Sequence, residues 1–146
     1  MKRILIASMA LLAVSVSYSG SAKHAGSCKL KVGSNTVTAD AAAGKLVYLR
    51  CGACHTLDQG GRNMVGPNLG QMFNGKALTA PKYRYSSAFE KAAPKWNNLA
   101  KLDEFLRKPT NAVPGTKMIF AGLPKAQDRA NLIAYLKKET TDSSCR

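Results

Sequence analysis

Apolar positions fall at helical spacing in two stretches of the chain, a third stretch opens on a helix start, and the runs between them are rich in Gly, Asn and Pro. Asp40 suits the N-cap of a first helix that opens on Ala41-Ala42-Ala43 and is expected to run to about Cys51. Leu99, Leu102, Phe105 and Leu106 mark a second helix, which Pro109 is expected to stop. A third, from about Ala126 to Lys138, carries Leu132, Ile133, Tyr135 and Leu136 on its apolar face. Between the first two, residues 60–81 hold only short apolar insertions such as Met64-Val65 and Leu69, and they read as an ordered loop wrapped around something. Val113-Pro114-Gly115-Thr116-Lys117-Met118 forms a second loop, and residues 23–39 read as an irregular or short-stranded arm. The expected fold is therefore all-α, with three main helices, long Gly/Pro loops and an extra N-terminal arm. Its side chains alone would leave a thin core, which a large apolar cofactor would complete.

The start of the chain has a different character. Met1-Lys2-Arg3 is followed by an uncharged, mostly apolar run from Ile4 to Val16, then by small and polar residues ending in Gly20-Ser21-Ala22. That is the pattern of a cleaved secretory signal. A permanent anchor is the competing reading, but the second half of the segment is Ser-rich and no basic stop-transfer cluster follows. A lipid attachment at Cys28 fails because that residue lies well beyond the apolar run. The expected organisation is a signal peptide at 1–22, the arm at 23–39 and one domain at 40–146, in the periplasm.

Charge then narrows the partners. Removing Lys2 and Arg3 with the signal leaves 20 of the 22 basic residues against 8 acidic ones, a formal +12. Such a domain is drawn to acidic surfaces. Export, and the lack of a basic stripe interleaved with aromatics, argue against nucleic acid. Acidic protein faces are the first expectation and anionic headgroups, as at most a peripheral membrane contact, the second.

Four cysteines in an exported chain would ordinarily suggest two disulfides. Here Cys51 and Cys54 are separated only by Gly52-Ala53 and are followed directly by His55, whereas Cys28 and Cys145 sit near opposite ends. Cys-x-x-Cys-His is the attachment pattern of a covalent haem: two thiols add to the two vinyl groups and the adjacent His lies under the iron. A zinc site would need further ligands, and a thiol–disulfide redox pair would need an α/β context that the sequence lacks. His24 and His55 are the only histidines, so the globular body offers one imidazole. A sixth iron ligand would then be a thioether, from Met64, Met72 or Met118. Met118 stands out because it lies on a loop rather than on an apolar helix face.

These residues, together with Val65-Gly66-Pro67-Asn68-Leu69, Tyr83-Arg84-Tyr85-Ser86, Trp96, Val113–Phe120 and Leu132–Lys137, resemble the class I cytochromes c over about Asp40 to Lys138. The resemblance implies one covalent haem c on Cys51 and Cys54, with His55 as proximal and Met118 as distal ligand. It further implies that the Pro67 carbonyl orients His55, that Tyr85 and Trp96 hydrogen-bond a haem propionate, that Thr116 lies beside the distal loop, and that Phe120 lies near the haem edge. Gly44, Tyr48 and Tyr135 match the crossing of the terminal helices. Because the family's termini are close in space, Cys28 and Cys145 are candidates for a disulfide, the alternatives being a free thiol or a bridge between chains. Two positions depart from the family pattern: Phe105 stands where a Tyr usually approaches the Met sulfur, and Gly75, followed by Lys76, stands where an Arg is common.

The function implied is a soluble, monomeric one-haem electron carrier, not an enzyme. Its partners would be acidic docking faces of an oxidase, a quinol-oxidising complex, a reaction centre or a periplasmic dehydrogenase, as in a respiratory chain. Lys82, Arg84, Lys91, Lys95, Lys117 and Lys125 flank the motifs expected near the haem edge. The alternative is a peroxidase or gas-binding protein, which needs an open or labile distal position.

Overall fold

The computed structural model describes residues 27–141 and 143. The expected signal segment, His24 and Cys145 lie outside them. In chain order the elements are β1 (Ser27–Val32), β2 (Asn35–Asp40), α1 (Ala41–Gly52), α2 (Ser87–Ala92), α3 (Leu99–Arg107), α4 (Pro109–Ala112) and α5 (Ala126–Thr141).

The three expected helices are present, but the all-α expectation needs correction. The arm is a regular antiparallel hairpin, with Cys28 opposite Ala39 and Leu30 opposite Val37. Alternation explains it: Leu30 and Ala39 are buried while Lys29, Lys31, Thr36 and Thr38 face water. Gly33, at a φ of +62°, takes the left-handed turn between the strands. Two short helices are also added. Ser86 caps α2 by accepting a hydrogen bond from the Phe89 N–H. Pro109, expected only as a stop, ends α3 and opens α4, because Lys108 before it is extended and a proline suits the first helical position.

Asp40 closes β2 and caps α1 at once. Its carboxylate accepts from the Ala42 and Ala43 N–H groups, and its own N–H donates to the Asn131 side chain on α5 at 2.9 Å. The hairpin is thus welded to the point where α1 crosses α5. That crossing is close because Gly44 has no side chain: a Cβ there would stand 2.0 Å from the Asn131 carbonyl oxygen. Tyr48 and Tyr135 continue the contact with ring centroids 5.4 Å apart.

Leu30 of the hairpin, Leu102 and Leu106 of α3, and Leu132, Ile133 and Leu136 of α5 form the main buried cluster. Full burial of a side chain such as Leu132 or Ile133 contributes about 2 kcal/mol. Arg129 is buried among them and is fully paired. It meets Asp103 of α3 at 2.8 Å and donates to the Leu123 and Pro124 carbonyls, each at 2.9 Å. The segment that leads from Met118 into α5 is pinned between two helices by this one guanidinium. Among the described residues, no helix is long and apolar enough to cross a membrane.

Candidate cofactor site

The loops enclose a cavity of about 1370 Å³, counting the space at its open mouth. Leu69, Met72, Leu102, Phe105, Leu132 and Leu136 supply much of its apolar wall. Cys51, Cys54, His55, Pro67, Tyr85, Trp96, Thr116, Met118 and Phe120 all line this one space, although the first and last of them stand 69 positions apart in the chain.

Each is positioned by a local cause. Helix α1 delivers Cys51 at its last turn, and the Cys54 and His55 N–H groups both donate to the Cys51 carbonyl, which curls the motif under the cavity. Tyr48 of α1 donates its hydroxyl to the His55 carbonyl at 2.8 Å. The His55 ring is held from the other side, where Nδ1 and the Pro67 carbonyl are 2.8 Å apart. A carbonyl can only accept, so Nδ1 carries the proton and Nε2 keeps its lone pair. Burial lowers the His55 pKa from its usual value, the Pro67 bond opposing the shift, and this favours the neutral, ligating ring. Gly66 lets the backbone approach that ring, since a Cβ there would lie 2.3 Å from His55 Cε1.

Asn68, which sequence reasoning left without a role, organises this loop. Its buried amide donates to Thr56 Oγ1 at 2.7 Å and to the Asp58 carbonyl at 3.0 Å, and its oxygen accepts from the Gly70 N–H.

On the opposite wall, Gly115 at a φ of +85° turns the chain towards Met118, and the Met118 N–H donates to Thr116 Oγ1 at 3.3 Å. Aromatic rings brace this side. Phe89 stacks on Tyr85 with centroids 5.5 Å apart and meets Phe105 edge-on at 5.9 Å, while Trp96 lies 4.9 Å from Phe105. Tyr85 donates no bond within the described chain; its oxygen instead accepts from the Ala80 N–H at 3.2 Å. Phe89 is a further lining residue that the sequence reading passed over.

The charged rim differs in part from expectation. Of the six basic residues expected there, Lys117 lines the cavity, donating to the Arg84 carbonyl and lying 4.6 Å from the Tyr83 ring centroid. Arg50 and Lys76, neither among those six, line it as well. Val65 and Ile119 line the mouth and are strongly exposed.

The donor set fits a covalent haem and disfavours the two other readings of Cys-x-x-Cys. Cys51 and Cys54 are both free thiols, and Cys28 is not counted with them. Among the described residues, no group of three His, Cys, Asp or Glu side chains is placed to hold a metal ion, as a zinc site would require. Burial raises the Cys51 pKa to about 11, with Arg50 opposing, whereas a redox-active thiol is held low. Two thiols, one imidazole with a bare nitrogen and a deep apolar slot define a c-type haem protein.

Comparison with known proteins agrees. Residues 41–140 match the family model for cytochrome c. The chain is 43% identical over 102 residues to cytochrome c of Gossypium barbadense, covering 69% of this chain and 91% of that one. It is 42% identical over 105 residues to cytochrome c2 of Rhodoblastus acidophilus, covering 72% and 97%. Among solved structures, cytochrome cH from Methylobacterium extorquens superposes with a TM-score of 0.62 at 39% identity, over 68% of this chain and 98% of that one. The chain belongs to the cytochrome c family, whose members carry electrons on a covalent haem c and are not enzymes. The hairpin, at Ser27–Asp40, lies wholly outside the family match.

Proposed function

We propose that this chain is an exported, soluble one-haem electron carrier in which Cys51 and Cys54 would hold the haem, and His55 and Met118 would ligate its iron. One observation carries the reading: both thiols, the single imidazole of the described chain and Met118 line one apolar cavity, with His55 Nδ1 already committed to Pro67. When bound, haem c supplies a reversible one-electron couple, and a thioether opposite an imidazole raises its potential relative to two nitrogen ligands.

The chain's own residues do the rest. Pro67 and Gly66 fix the ring plane of His55; Leu69, Leu102, Phe105 and Leu132 exclude water; the Gly115 turn and Thr116 hold the Met118 backbone. Tyr85, Trp96 and Lys76 are the groups proposed to meet the propionates, and Phe120 the exposed edge. With His55 and Met118 both given to the iron, the site would reorganise little and would leave no position for substrate, which disfavours the peroxidase or gas-binding alternative.

Residues 1–22 are proposed as the signal and 40–146 as the domain, with the periplasm as its compartment. A Cys28–Cys145 disulfide belongs to the same proposal. It is supported by Cys28 being the bonded cysteine while Cys51 and Cys54 are free. Partners are proposed to be redox proteins with acidic docking faces.

Spectroelectrochemistry of the holoprotein tests the reading. A single reversible one-electron wave, with no carbon monoxide adduct of the ferrous form at neutral pH, is expected. Rapid carbon monoxide binding would transfer support to the gas-binding alternative.

A further inference from the structure

Residues 71–76 form neither helix nor strand, and within them Asn74 stands exposed with Gly75 directly after it. The chain has eight asparagines, and only this one is followed by glycine. The backbone nitrogen of the residue after an asparagine can close a five-membered ring on the side-chain amide carbon. A Cβ on that next residue crowds the approach, and glycine leaves it open. Gly75 holds a φ of +80° in loosely packed surroundings, where even an added Cβ would meet nothing nearer than Asn97 Nδ2 at 3.5 Å.

Hydrogen bonding prepares the same amide for attack. The Lys76 N–H donates to Asn74 Oδ1 at 2.9 Å. This bond draws electron density from the amide carbon and stabilises the charge that develops on Oδ1 as a nucleophile adds, the role of an oxyanion donor. Among the described residues, neither the Gly75 N–H nor Asn74 Nδ2 donates to any acceptor, so the attacking nitrogen and the leaving group are both unencumbered. Four other asparagines are tied into the fold. Asn63 donates to the Pro81 carbonyl and Asn68 to Thr56 Oγ1, Asn98 caps α3, and Asn131 accepts from the Asp40 N–H.

We infer that Asn74–Gly75 is a site of self-modification, at which the neutral side-chain amide becomes a carboxylate. The Gly75 nitrogen gives its proton to water and bonds to Asn74 Cγ; the bond from Cγ to Nδ2 breaks, ammonia leaves, and a cyclic imide closes. Water then opens the imide at either carbonyl. The products are aspartate, or isoaspartate with one extra methylene in the backbone. One water is consumed and one ammonia released, and nothing is oxidised or reduced. The new carboxylate stands two residues from Lys76, which lines the cavity. Its effect on the cofactor rests on the carrier reading above: it competes with the propionates for the Lys76 ammonium. Negative charge brought near the iron favours the ferric state, so the potential falls. The modification thus lowers both the potential and the net charge of the carrier as the molecule ages.

The test is incubation of the holoprotein in heavy-oxygen water at neutral and mildly alkaline pH, followed by peptide mapping and voltammetry. The Asn74 peptide should become three mass units heavier, one heavy oxygen replacing the lost ammonia. It should convert about tenfold faster than any other asparagine peptide, and faster still at the higher pH, where the attacking nitrogen loses its proton more readily. The potential of aged wild type should fall towards that of Asn74→Asp, while aged Asn74→Gln keeps its starting value. Conversion of Asn74 no faster than the other asparagines overturns the proposal. Conversion without a fall in potential overturns its effect on the cofactor. A fresh holoprotein with no reversible wave fails the carrier reading, and the labelling result then judges the conversion by itself.

Discussion

Replacing Gly44 with Ala measures how much of the fold depends on the α1–α5 crossing. The new methyl carbon would stand 2.0 Å from the Asn131 carbonyl oxygen, 2.6 Å from its carbonyl carbon and 2.7 Å from Tyr135 Cβ. Two of these three atoms are backbone, so no side-chain rotation relieves the clash. The helices must part by about 1 Å, which forfeits a quarter to a half of each van der Waals contact across the crossing. Those contacts include the Tyr48–Tyr135 ring pair and the Asp40–Asn131 hydrogen bond. Overpacking costs about 3 kcal/mol at the upper end of its usual range, and lost ring and hydrogen-bond contacts add about 1 kcal/mol. The better helix propensity of Ala returns about 1 kcal/mol. The net is a destabilisation of about 3 kcal/mol, or a Tm lowered by about 12 °C in a domain of this size. Thermal unfolding of the holoprotein followed by far-ultraviolet circular dichroism reads it directly. A Tm within about 2 °C of wild type would show that the crossing is looser than described and refute the reasoning.

Three further predictions follow from the same geometry. Gly66→Ala places a carbon 2.3 Å from His55 Cε1 and should tilt or displace the ring, so the haem spectrum at neutral pH should report lost or heterogeneous imidazole ligation; an unaltered spectrum would show that the loop yields instead. Arg129→Met leaves Asp103 without its partner and removes the clamp on the Leu123 and Pro124 carbonyls; a loss of about 3 kcal/mol in denaturant unfolding is expected, with Met118 ligation lost at a lower denaturant concentration than helicity. Tyr48 should titrate late, near a pKa of about 12, because burial disfavours the phenolate. The unfolded chain ionises first, so the contribution of Tyr48 to stability is intact below about pH 10 and declines as pH rises from there towards 12. Ultraviolet difference titration of wild type against Tyr48→Phe should show one late-titrating tyrosine missing from the variant.

Periodicity made α3 and α5 legible, and the Asp40 cap before Ala41-Ala42-Ala43 did the same for α1. The short helices left no such trace. Helix α2 has one turn and a half, and its one local cue was the Ser86 cap. Pro109 ends one helix and begins another, two roles that a sequence cannot separate without knowing that Lys108 is extended. In the hairpin, alternation over Cys28, Leu30 and Val32 was readable, but its pairing with Val37 and Ala39 depends on the core that α5 supplies. Attachment chemistry was the most legible part of the site, since Cys51, Cys54 and His55 are adjacent in sequence. Asn68, Phe89 and Arg50 were not, because their roles come from segments that meet only when the chain is folded.

The ferric holoprotein's far-red iron–thioether band tests the central claim most directly, measured in wild type and in Met118→Leu, with Met64→Leu and Met72→Leu as controls. Met72 is buried in the wall and Met64 is half-buried on the facing loop, so both controls preserve volume where a thioether is present but unassigned. The account predicts the band in wild type and both controls, and its loss in Met118→Leu alone. A band that survives in Met118→Leu, or that is absent from wild type at neutral pH, would contradict it.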